Sequence, residues 1–101
     1  MTLSIRPSFW LDLERHHYWI TKNVSELIAD RWLDAVWSTV SFLQNNPLVG
    51  RERKDLNFKG IRSWLVNEFR RWTIFYGVQD EALVLYRVEG GETNLRGLVL
   101  G

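Results

Sequence analysis

The sequence predicts an α+β fold: a short N-terminal strand and an antiparallel helical hairpin packed on a mostly antiparallel three- to four-stranded sheet. Three observations predict it. Three strand-like runs, Ile61–Val66, Arg71–Val78 and Ala82–Val88, follow one another with short polar gaps, which is the signature of a meander. Two segments before them, from about Phe9 to Lys22 and from Glu26 to about Gln44, repeat apolar residues at helical spacing. The opening stretch Leu3-Ser4-Ile5-Arg6 alternates apolar and polar residues, as a short strand does.

The first strand is expected to stop at Pro7, with Ser8 as the N-cap of the first helix. Phe9, Leu13, His16 or His17, and Ile20 give that helix one apolar face. Asp12 and Glu14 fall in its early turns, where the positive end of the helix dipole favours carboxylates. Asn23-Val24-Ser25 is a break, and Ser25 is placed to cap the second helix with Glu26 in its first turn. Ile28, Trp32, Ala35, Val36, Thr39, Phe42 and Leu43 form its apolar face. Asn45-Asn46-Pro47 ends it, because proline lacks the N–H a helix interior needs. So short a connection between helices predicts an antiparallel hairpin. Trp10, Trp19 and Trp37 cannot all sit on the core faces, so some are expected in solvent.

Leu48–Gly60 reads as the longest loop. Arg71–Val78 is rich in aromatic and β-branched residues and lies between two other strands, so it should be the central strand with both edges paired. Glu89-Gly90-Gly91-Glu92 reads as a turn. The tail, Thr93–Gly101, carries Leu95, Leu98, Val99 and Leu100 and reads as a last strand or a flap that meets a partner.

The chain of 101 residues is expected to be one domain, residues 1–101, since it has no room for two cores. Hydrophobic content of 46% beside 25% charged residues excludes a disordered chain. The absence of cysteine excludes disulfides and thiolate zinc sites and suits a reducing cytoplasm. Arg6 and Pro7 interrupt any signal-peptide-like run, and no apolar stretch approaches the ~20 residues of a membrane-spanning helix. Six Trp residues are a heavy load, and large aromatics serve interfaces as well as cores.

Charge is uneven. Residues 51–71 hold seven basic side chains (Arg51, Arg53, Lys54, Lys59, Arg62, Arg70 and Arg71) against three acidic ones (Glu52, Asp55 and Glu68), while the whole chain carries only +1. A basic segment on a slightly acidic body suits phosphate or an acidic partner, and equally a solvated loop and strand edge.

Chemistry has few candidates. His16 and His17 are adjacent, so on a helix they diverge by ~100° and do not form the i, i+4 pair that shares a metal ion. Asp30 and Asp34 lie one turn apart with Arg31 and Lys22 near, as on a solvated face. No Ser lies in a nucleophile elbow, and Gly90-Gly91 is a turn signal rather than a phosphate loop. No metal or cofactor is therefore expected. RNA cleavage would need a base, an acid and a cationic clamp on the phosphorane. Arg62, Arg71, Arg87 and Arg96 are the candidate clamps, although a lone Arg on an apolar strand such as Arg87 is usually a snorkelling or ion-paired residue. Tyr76 and Tyr86 read as core aromatics whose hydroxyls reach a polar rim.

Several local patterns carry a resemblance. These are Ala29 and the Leu43-x-x-x-Pro47-x-x-Gly50 helix exit, the Ile61-Arg62 pair, Ile74-Phe75-Tyr76, and Tyr86-Arg87-Val88. In their order and spacing they resemble the ParE/RelE superfamily of toxins from bacterial type II toxin–antitoxin modules. The RelE-like branch comprises ribosome-dependent messenger-RNA endonucleases, and the ParE-like branch is associated with poisoning DNA gyrase. RelE-like nucleases place an Arg before the apolar-apolar-Tyr run, where this chain has Thr73, and a Tyr or His beside the tail Arg, where this chain has Arg96 alone. The ParE-like His-Gly after the last strand is Glu89-Gly90-Gly91 here.

The resemblance implies a ParE-like toxin that inhibits growth by binding DNA gyrase without catalysis, and a cognate antitoxin with which it forms a hetero-oligomer. Its expected target contacts are Arg62, Arg71, Arg87, Arg96, Lys54 and Lys59. The alternative is a RelE-like endonuclease acting on ribosome-bound messenger RNA through Arg62, Arg71 and Arg96 with Lys54 or Lys59.

Overall fold

The structure, a computed structural model, describes residues 1–56 and 58–91. The elements run β1 (Thr2–Ile5), α1 (Pro7–Asn23), α2 (Glu26–Asn45), β2 (Arg51–Glu52), β3 (Arg62–Val66), β4 (Phe69–Gln79) and β5 (Ala82–Gly90). The five strands form one sheet in the order β1-β5-β4-β3-β2. β2 to β5 are antiparallel neighbours, whereas β1 lies parallel to β5 with Ile5 opposite Leu85. The predicted α+β class is observed. The sheet has one strand more than expected because Arg51–Glu52, inside the stretch read as a loop, pairs with Ser63 and Arg62.

β4 is the central strand, as predicted, with β3 on one side and β5 on the other. Ile74, Phe75, Tyr76 and Gly77 are buried at its middle. Its two hairpins differ. Asp80 and Glu81 both take positive φ (51° and 62°) in the two-residue turn to β5, the twist a tight antiparallel hairpin requires. At the other end Val66 pairs with Phe69, yet Leu65 pairs with Thr73, so Arg70, Arg71 and Trp72 form a bulge with no partner on β3.

The helices cover one face of the sheet. Phe9, Leu13 and Ile20 of α1 and Ala29, Trp32, Val36, Val40 and Leu43 of α2 bury against Val66, Ile74, Tyr76, Leu83, Leu85 and Val88. Fully burying each large side chain contributes ~1.5–3 kcal/mol, so this layer holds most of the fold's stability. A smaller cluster on the opposite face, Leu56, Ile61 and Phe75 with Tyr86 against it, lies under the segment after β2. Arg53 is buried there over the Phe75 ring, its centre 5.5 Å away, and is held by Asp55 and Ser63.

Several expectations are corrected. Ser8 is not the cap of α1. Arg6 is the N-cap residue with Pro7 at the first helical position, and the Ser8 hydroxyl donates instead to Tyr86 O at 2.7 Å. Proline fits there because the first N–H of a helix has no acceptor anyway. Asp12 does not serve the helix dipole; it is buried against β5. Glu89 and Gly90 are not a turn but the last residues of β5; Gly91 turns, at φ 61°, and Glu92 lies outside the described residues. Phe42 is half exposed and stacks on Trp64 at 5.7 Å rather than entering the core. Ser25 does cap α2, accepting the Ile28 N–H at 3.0 Å. Trp10 and Trp19 are the exposed tryptophans, with Trp10 leaning on Trp37. The tail read as a strand or flap lies outside the described residues. Among the described residues, no helix is long and apolar enough to cross a membrane.

Candidate functional site

Besides the Arg53–Asp55–Ser63 cluster, polar groups among the described residues converge near the end of α2 and near the start of α1. The first lies where α2 hands the chain to the sheet. Tyr76, on the central strand, donates its hydroxyl proton to Pro47 O at 2.9 Å and accepts the Gly50 N–H at 2.8 Å. Burial raises the Tyr76 pKa, outweighing the Gly50 hydrogen bond and nearby Arg62, so the hydroxyl stays a donor at neutral pH. Arg62, one strand over, donates to Leu48 O at 3.2 Å and Gly50 O at 2.8 Å. A Cβ on Gly50 would stand 2.4 Å from the Tyr76 hydroxyl oxygen and 2.9 Å from Ser63 O, so only glycine fits this close approach. The helix-exit pattern, the Ile61-Arg62 pair and the Ile74-Phe75-Tyr76 run are thus parts of one structural joint.

The second place lies where β1 ends and α1 begins. β1 pairs with β5 only as far as Ile5–Leu85, after which Arg6 N–H donates to Leu85 O. Beyond that point β5 would present an unpaired edge. Side chains of α1 take over the pairing. Ser8 donates to Tyr86 O, Asp12 accepts the Val88 N–H at 3.0 Å, and His16 Nε2 lies 3.0 Å from Val88 O. A carbonyl only accepts, so His16 Nε2 carries the proton. Ser8, Asp12 and His16 are spaced by four, which places them in one row along the helix.

Around this row is a buried ion network. Arg87 donates to Asp12 through Nε at 2.6 Å and Nη2 at 2.9 Å, and to Glu89 Oε1 at 2.6 Å. Arg15 closes it from the solvent side, 2.9 Å from Glu89 and 3.2 Å from Asp12. The hydrogen bonds that Arg87 donates to Asp12 raise its pKa further, against the effect of burial. Burial would push the Glu89 carboxyl up. The neighbouring His16, 3.7 Å away, and the Arg87 guanidinium that donates to it prevail and hold it at about 2.

Asp12, His16 and Glu89 bring potential ligand atoms within 4.8 Å of one another. Their chemistry does not suit a cation: Arg87 and Arg15 occupy the carboxylates, and His16 Nε2 is a donor to Val88 O. The set is a neutralised salt-bridge network joining helix to sheet. His17 is separate, 2.9 Å from Asp30 on the helical hairpin.

The basic residues expected to contact a target are scattered. Arg62 and Arg87 lie on β3 and β5 with β4 between them, each engaged in holding the fold. Arg71 is exposed on the β4 bulge, and its carbonyl accepts the Gly91 N–H. Lys54 and Lys59 are exposed in the segment after β2. Arg96 lies outside the described residues. Arg53 was not singled out as a site residue, yet it is the buried cation of that segment; its fork faces Asp55, whose carboxyl it holds at about 2. Sequence reasoning also missed Asp12 and Glu89. The signal was there for Asp12: position 12 falls inside the apolar row Phe9, Leu13, His16, where a carboxylate needs a buried partner.

A family model described as the ParE toxin of the ParDE type II toxin–antitoxin system matches residues 3–95. The chain belongs to the ParE toxin family. A solved structure titled "Chromosomal ParDE TA system from P. aeruginosa" holds a chain with the same fold as this ParE-family protein, with a TM-score of 0.77 at 17% identity, covering 91% of this chain and 97% of that one. No curated protein sequence matches. Of the two branches that the sequence resembles, membership falls on the ParE side, and the RelE-like nuclease is not favoured.

Proposed function

We propose that this ParE-family toxin arrests growth by binding DNA gyrase in the cytoplasm, without chemistry of its own, and that a cognate antitoxin neutralises it. The observation that carries the reading is the commitment of two strand cations, Arg62 and Arg87. A phosphorane clamp needs cations open to substrate, aimed at one point beside a proton-transfer group. Arg87 instead holds Asp12 and Glu89, and Arg62 holds two backbone carbonyls. Tyr76, opposite Arg62 on β4, has its hydroxyl spent on Pro47 and Gly50. Family membership supports the toxin role and the expectation of an antitoxin.

Binding would fall to surface groups: Arg71, Lys54 and Lys59, with Arg96 expected to join them. The test uses purified gyrase and relaxed plasmid. Loss of supercoiling or a trapped cleavage complex at stoichiometric toxin is expected. Normal supercoiling at saturating toxin, together with cut messages in a translating extract, would overturn the reading in favour of a nuclease.

A further inference from the structure

The molecule is electrically two-sided. The helical layer, residues 7–45, holds Arg15, Lys22 and Arg31 against Asp12, Glu14, Glu26, Asp30 and Asp34, whereas residues 51–71 hold seven basic side chains against three acidic ones. Of those seven, Arg53 is tied to Asp55 and Arg62 to two backbone carbonyls. Arg51, Lys54, Lys59, Arg70 and Arg71 are exposed, and among the described residues none of their side chains has an ion pair or a hydrogen bond.

The fold gathers these free cations along the β3 side of the sheet. Arg51 of β2 and Arg70 of β4 line grooves on the two faces of one stretch of β3, Trp64 and Leu65. No carboxylate lines either groove; their neutral polar groups include Ser38, Asn67 and Thr73, of the kind that contact phosphate oxygens. Arg70 and Arg71 stand on the β4 bulge, and a bulge re-aims the side chains it carries. Its backbone is anchored from behind. Arg71 O accepts the Gly91 N–H at 2.7 Å, and Trp72 packs on Trp32 with ring centres 5.1 Å apart. Trp72 also lies so close to Gly90 that a Cβ there would stand 2.9 Å from its ring. The two exposed arginines therefore start from a fixed base.

We propose that this cationic side, led by Arg51, Arg70 and Arg71, binds the phosphate backbone of the duplex that gyrase holds, so that the toxin meets DNA as well as protein. The inference rests on the gyrase reading above. Duplex DNA carries one negative charge per ~1.7 Å of its axis, which suits a row of uncompensated cations beside grooves without carboxylates. The same field repels the acidic helical layer, so the molecule approaches with its β3 side first. Phosphate contacts carry no sequence information, so the contact is expected at any DNA sequence.

The test compares toxin binding to gyrase alone, to gyrase loaded with a duplex, and to the same duplex alone, over a range of salt concentrations. Arg70→Gln and Arg71→Gln each remove an exposed charge and are expected to leave the melting temperature unchanged. Arg31→Gln, on the acidic layer, is the control. Loaded gyrase is expected to bind the toxin at least tenfold tighter than gyrase alone. The slope of log K against log salt is expected to shrink by about 1 for each bulge arginine replaced and to stay put for Arg31→Gln. Equal affinity for gyrase with and without DNA, together with no binding to the bare duplex, overturns the DNA contact and leaves the gyrase reading standing. Binding to the bare duplex with no binding to gyrase overturns the gyrase reading and keeps the DNA-binding surface.

Discussion

At the scale of the residue, polar groups in this protein act mostly as joints. The Tyr76 hydroxyl spans strand and helix exit, serving Pro47 O and Gly50 N at once. Tyr76→Phe leaves both backbone groups without that partner, at a cost of ~1–3 kcal/mol, which urea unfolding would read directly. Gly50→Ala should cost at least as much, because its Cβ would stand 2.4 Å from that hydroxyl. The double variant should be less destabilised than the sum of the two, since removing the oxygen relieves the nearest clash. Additive effects would mean that the two residues do not meet as described.

Glu89 gives a pH prediction at the same scale. Its carboxyl is held at about 2 in the folded chain against an ordinary 4.5. A depressed carboxylate pKa contributes stability that is present above the unfolded value and lost as pH falls through the folded one. Stability should therefore decline between about pH 4.5 and 2, and Glu89→Gln should flatten that part of the curve while lowering stability at pH 7. Parallel acid curves for the two proteins would dismiss Glu89 as a contributor.

At the scale of the element, α1 works as a substitute strand. Its Ser8, Asp12 and His16 supply the partners that β5 loses where β1 ends. The Val88 amide should accordingly exchange as slowly as the amides of β4. Asp12→Ala should release that amide selectively and cost ~3–5 kcal/mol, because Arg87 is then left buried without its main partner. A Val88 amide that already exchanges freely in the unmodified protein would contradict the edge role. The row was half legible in sequence. Helical spacing puts His16 or His17 on the apolar face without choosing between them, and it leaves Asp12 to the dipole because its partners, Arg87 and Val88, lie some 75 residues away in the chain.

At the scale of the whole molecule, structural and solvent-facing cations separate. Arg62 and Arg87 hold the fold, whereas Lys54 and Lys59 stand in solvent. Substituting both lysines by Glu should change stability by no more than about 0.5 kcal/mol. Growth arrest on induction would nevertheless be lost if these lysines meet the target. Arg87→Met should instead reduce toxicity only in step with the folded fraction, which a melting curve measured beside the growth assay would reveal.

By itself the sequence determined the two helices with their faces, the Ser25 cap, the three-strand meander and its central strand. These depend on periodicity, capping and turn chemistry, all of which act over a few residues. It also carried the family patterns. The tertiary structure alone decided that β1 runs parallel to β5, that Arg51–Glu52 becomes a strand, and that β5 extends through Gly90. It alone turned Arg87 and Asp12 toward each other. Each of these is a pairing between distant segments. What fixes it is the need to satisfy a buried backbone edge or a buried charge, and that need arises only once the segments are packed together.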